Sequence, residues 1–102
     1  FIKELWEFIE SDSYYKGNTT FIITTDHGRG TKPLDTWRGH GKDIDGADEV
    51  WVIAFGKGVR PMGEIKVQEQ LYSNQIAASI AKLLDIEVDK DSIGVKFKFI
   101  VN

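Results

Sequence analysis

Cysteine is absent from the 102 residues, which excludes a disulfide framework, thiolate zinc sites and thiol catalysis. The compartment stays open, because a disulfide-free chain can still be exported. No apolar run approaches the roughly 20 residues that a membrane-spanning helix needs. Neither sign of charge dominates. Sixteen acids against thirteen bases leave a net charge of −3 with no long run of either, which argues against nucleic acid as a partner. Histidine occurs only twice, so imidazole chemistry is confined to His27 and His40. There is no internal repeat and no low-complexity tract. The chain opens without a Met, a signal-peptide pattern or a helix-capping residue, and Phe1 already lies on an apolar helical spacing. The expectation is a segment cut from a longer protein.

What is present is the composition of one folded domain, 41% hydrophobic and 28% charged. Phe1, Leu5, Phe8 and Ile9 recur at helical spacing and predict a helix to about Ser11. Tyr14 to Asn18 reads as a loop with Gly17-Asn18 as its turn. Thr20 to Thr25 is a β-branched run without clean alternation, as expected of a strand buried on both faces in a parallel sheet. Asp26 to Asp48 is a long Gly-rich segment without periodicity that carries both histidines. A connection of that kind is usually functional or mobile. Glu49 to Phe55 predicts a second buried strand, stopped by Gly56-Lys57-Gly58, and Val59 to Val67 a loop with a short edge strand. Ser73 or Asn74 can cap a helix whose apolar face is Ile76, Ala77, Ile80, Ala81, Leu83 and Leu84, with Ile86 packing after it. Gly94 to Val101 alternates at first, as an edge or hairpin strand would. The resulting order predicts an α/β layer with the long loop leaving the carboxyl end of a strand, where open sheets place ligands.

The chemistry concentrates in that loop. Asp26-His27-Gly28 follows the first strand directly, and a carboxylate beside an imidazole can hold a divalent cation once the strand has broken. A turn with a hydrogen-bonded His is the plain alternative. His40, between Gly39 and Gly41, is a candidate second ligand or a solvated loop residue, and thirteen positions from His27 fix no geometry. Asp43, Asp45, Asp48 and Glu49 do not form a calcium loop, because with Gly46 as the sixth position the first and twelfth, Gly41 and Val52, lack carboxylates. They form a solvated acidic turn, with a supporting role around a metal as the alternative. The paired glycines match neither a dinucleotide fingerprint nor a phosphate loop, and no Ser lies in a nucleophile elbow. The tryptophans need not bind anything; Trp6 and Trp51 fall in core elements, which leaves Trp37, in the loop, as the one candidate to face a substrate.

Thr-Phe-Ile-Ile-Thr-Thr-Asp-His-Gly, Thr20 to Gly28, resembles the strand and Asp-His-Gly signature of the alkaline phosphatase superfamily, which contains phosphatases, phosphodiesterases, phosphomutases and sulfatases. Gly39-His40-Gly41 and the strand Val50 to Val59 are similar to that family's later metal-ligand His and its next core strand. Gln75 to Ile86 is similar to its penultimate helix, with Asp85 where the family prefers Gly. The resemblance covers about Thr20 to Ile86. It implies part of a mostly parallel sheet flanked by helices, the whole chain, 1–102, being a C-terminal segment of a larger catalytic domain.

The resemblance also implies two metal ions, with Asp26 and His27 on one and His40 on the other, acting on a phosphate or sulfate ester. His at position 27, where many sulfatases carry Asn and bind calcium, favours zinc or manganese and phosphoryl chemistry. The nucleophile and the remaining ligands lie upstream in the family. The chain is therefore expected to hold no catalytic nucleophile, to need that upstream part of its domain, and to be inactive alone. A sulfatase of the same superfamily and a non-catalytic α/β interaction module are the alternatives.

Overall fold

The computed structural model describes residues 1–89, 91 and 94–101. Among them it holds two α-helices, α1 (Ile2–Ser11) and α2 (Asn74–Leu83), and two strands, β1 (Thr20–Thr24) and β2 (Val52–Gly56). The chain divides into two compact units. One comprises 1–20 and 55–102, the other 21–54.

In the first unit, α1 takes the span its periodicity predicts, supported by a Lys3–Glu7 pair one turn apart. It stops at Asp12, whose Oδ1 accepts the N–H groups of Tyr14 at 2.8 Å and Tyr15 at 3.3 Å. The buried stripe differs from the expected one. Ile9 is buried and Trp6 half-buried, with its ring edge-on to Phe55 at 5.3 Å, while Phe1, Leu5 and Phe8 are exposed. The helix presents its Trp6–Ile9 side because a Trp brings more area to one contact than Leu5 or Phe8 can.

Helix α2 is turned in the same sense. Ala78, Ser79 and Ala81 are its buried residues, whereas Ala77, Ile80 and Leu84 face out, and Ile86 after it is exposed. No side chain caps its start through a hydrogen bond from Ser73. Gln75 Oε1 instead accepts from the Tyr72 N–H at 2.8 Å. At its end Asp85 adopts φ 55°, the Ile86 N–H donates to Ala81 O at 2.8 Å and the Asp85 N–H to Lys82 O at 3.3 Å. This is the paired bonding of a left-handed helix terminus, which usually falls to Gly.

The small face of α2 receives the tail. Phe97 and Ile100 are almost wholly buried, Phe97 stacks on Phe99 at 4.9 Å, and the Phe97 N–H donates to the buried Ser79 Oγ at 2.9 Å. The expected tail strand is a turn, with Ile100 N–H on Phe97 O at 3.1 Å. The expected edge strand within Val59–Val67 reduces to a single antiparallel bridge, Val59 with Ile100. The adjacent Arg60 N–H donates to Phe99 O and the Val101 N–H to Gly58 O.

The sheet corrects the expected fold class. It has two strands, β1 beside β2, and they run antiparallel, not as part of a mostly parallel sheet flanked by helices. The Thr24 hydroxyl donates to Trp51 O at 2.7 Å and the Lys57 N–H to Thr19 O at 2.9 Å, so one strand's start faces the other's end. The reason lies in the intervening segment. It folds back on itself and returns the chain to the end of β1 that it left, where a parallel pairing needs a crossover. Both runs were expected to be buried on two faces. All five residues of β1 are half-buried, and Ile53 and Trp51 are each about half exposed, because a two-stranded sheet cannot enclose both of its faces.

Candidate metal centre

The three residues singled out by the sequence all lie in the unit 21–54. β1 ends at Thr24, and the segment that follows is tied by main-chain hydrogen bonds. Gly28 N–H donates to Ala47 O at 2.8 Å, Gly30 N–H to Gly39 O at 3.0 Å and Thr31 N–H to Asp45 O at 2.9 Å. Bonds between residues close in sequence form local turns, among them Gly39 N–H to Thr36 O at 2.7 Å after the 3₁₀ turn Leu34–Arg38. The long loop is thus a wired structure. Gly28 and Gly30 make it possible. A Cβ on Gly28 would collide with the carbonyl oxygens of Gly46 and Glu49, and one on Gly30 with the carbonyl and hydroxyl of Thr36. Only glycine lets the backbones approach this closely.

The rung between Gly30 and Gly39 brings His40 to His27. Their rings stack with centroids 4.0 Å apart and planes 14° from parallel. His27 Nδ1 lies 2.7 Å from Gly28 O, and since a carbonyl only accepts, Nδ1 carries the proton. The other ring nitrogen, Nε2, lies 3.6 Å from Asp26 Oδ1. That carboxylate oxygen also accepts the His27 main-chain N–H at 3.0 Å, which holds it on the imidazole side. Asp26 is 88% exposed and His27 31%. Water therefore satisfies the carboxylate, and no burial penalty calls for a bound ion.

The donor chemistry itself fits a cation. Two ligand atoms on one tetrahedral ion stand roughly 3.4 Å apart, close to the 3.6 Å between His27 Nε2 and Asp26 Oδ1. A backbone carbonyl on the far nitrogen is the usual orienting partner of a metal-binding imidazole. Parallel stacked rings direct their in-plane lone pairs side by side or apart, so one ion cannot lie on both. Among the described residues, no three His, Asp or Glu side chains converge closely enough to hold one ion.

Next to His40 lies an open pocket of about 460 Å³ lined also by Asp43, Asp45 and Asp48, with Lys42 as its basic member. Asp45 contributes its carbonyl to Thr31, so part of the acidic turn serves the loop's wiring. Trp37 is 52% exposed on the 3₁₀ turn, and the Arg38 guanidinium carbon sits 4.9 Å from the centre of its ring. Trp51, expected in the core, is as exposed as Trp37.

The sequence offered Gly28 as a turn residue. Its close packing on Gly46 and Glu49, and the Gly30–Gly39 rung, were not read from it. The glycines alternating with Arg29 and flanking His40 were the available signal. No helix is long and apolar enough to cross a membrane among the described residues. Compared with family models, with curated proteins and with solved structures, the chain matches none.

Proposed function

We propose that Asp26, His27 and His40 are metal ligands of a centre that processes phosphate esters, as a hydrolase or a phosphoryl transferase. The observation that carries this reading is the His27–His40 stack, with Asp26 Oδ1 3.6 Å from His27 Nε2. The reading assigns Asp26 and His27 to one ion and His40 to a second. Imidazole donors favour zinc or manganese over calcium, which keeps a sulfatase as the lesser reading. When bound, such ions activate a nucleophile and neutralise charge on the leaving oxygen.

The residues of this chain have narrower tasks. Asp26 and His27 supply one carboxylate oxygen and one nitrogen, Gly28 O fixes the tautomer of His27, and the Gly30–Gly39 rung positions His40. Since no three described side chains converge on one ion, the chain alone would hold each ion through these ligands and water, while the further ligands and the nucleophile of the proposed centre would come from outside this set. The fold offers no support of its own, and the reading rests on the motif and the site.

Calorimetric titration of the 102-residue chain with zinc and with manganese tests it. The expected result is binding that Asp26→Asn, His27→Ala and His40→Ala each weaken by about tenfold or more, the usual scale for loss of a ligand. Absence of binding, or binding that none of the three substitutions changes, overturns the proposal and favours an interaction module with an incidental histidine pair.

A further inference from the structure

We infer that Trp37 and Arg38 form a recognition platform for an aromatic phosphate ester, an inference that rests on the reading of Asp26, His27 and His40 above. Arg38 lies over the Trp37 ring at 4.9 Å, inside the roughly 6 Å range of a cation–π contact. The indole is nevertheless 52% exposed, so one large aromatic surface and one guanidinium are offered to solvent together. An ester with an aromatic leaving group matches both at once. Its phosphate takes the guanidinium, and its ring stacks on the indole.

The position of the pair is fixed by the wiring that assembles the histidines. Arg29 Nη1 donates to Arg38 O at 3.5 Å, Gly39 N–H to Thr36 O at 2.7 Å and Gly30 N–H to Gly39 O at 3.0 Å. Trp37 is three residues before His40, which keeps their Cα atoms within about 11 Å of one another. Trp51 is equally exposed but stands just before β2, where among the described residues no cation lies over its ring, and it is not part of the platform.

The test compares phenyl phosphate with methyl phosphate in ¹⁵N NMR titrations of the 102-residue chain with zinc present. Phenyl phosphate is expected to bind about tenfold more tightly, the scale of one aromatic stacking contact. It should shift the Trp37 indole N–H as well as the amides of Gly39 and Gly41. Trp37→Ala should bring the affinity ratio close to one, and Trp37→Phe, which keeps a stacking face, should retain most of it. Equal affinity for the two esters in the unsubstituted chain, or a preference that survives Trp37→Ala, overturns the platform while leaving the metal reading intact. Binding of neither ester overturns the phosphate-ester reading and the platform with it.

Discussion

The two units of this chain are held by different means. In the unit of α1, α2 and the tail, order comes from side chains: Phe97 and Ile100 are sealed from solvent against a small face of α2, and Ser79 answers the Phe97 N–H inside that contact. In the unit 21–54 the buried residues are Gly30, Gly46 and Ala47, and order comes from backbone rungs that only glycine permits. A packed core tolerates polar change outside it and punishes lost volume. A wired loop tolerates loss of a side chain and punishes a gained Cβ. The second arrangement leaves its side chains free, and it is the one that displays Asp26, His27, His40 and Trp37.

Substitutions break or sharpen this contrast. Phe97→Ala should cost the most, about 3–5 kcal/mol by chemical denaturation, because it empties the centre of the tail packing. Gly28→Ala should cost about 2–3 kcal/mol, since the added methyl must push away the carbonyls of Gly46 and Glu49. Its signature is loss of the ring-current shifts between His27 and His40 in the NMR spectrum. Ser79→Ala leaves a buried N–H of Phe97 without its acceptor and should cost about 1–3 kcal/mol. Asp85→Gly should stabilise by about 1 kcal/mol, since Asp85 holds a left-handed φ of 55° that glycine adopts freely. His40→Ala should change stability by less than about 0.5 kcal/mol, because His40 is exposed. Equal losses for Gly28→Ala and His40→Ala would erase the distinction between wiring and display.

The sequence made the local elements legible and the pairing illegible. The bounds of α1 and the start of α2 follow from periodicity, and Asp85 stands where a helix-ending glycine is favoured and adopts that residue's conformation. The sense of the sheet does not follow. Apolar runs such as Thr20–Thr24 read alike in parallel and antiparallel pairs, and the return path of residues 25–51, which decides the matter, is set by non-local main-chain bonds. The buried faces of α1 and α2 depend on Trp6 and Ser79 finding Phe55 and Phe97, contacts that no helical wheel contains. At the candidate site, Asp26, His27 and His40 could be singled out by residue type. Their approach could not be read, since thirteen positions of loop allow any distance until the Gly30–Gly39 rung selects one.

X-ray absorption at the zinc edge of the zinc-loaded 102-residue chain tests most directly whether the wired loop presents a metal centre. It should show imidazole nitrogen at about 2.0–2.1 Å around the ion, an imidazole contribution that diminishes in both His27→Ala and His40→Ala. A shell of water oxygens alone, or an imidazole signal indifferent to either substitution, would contradict it.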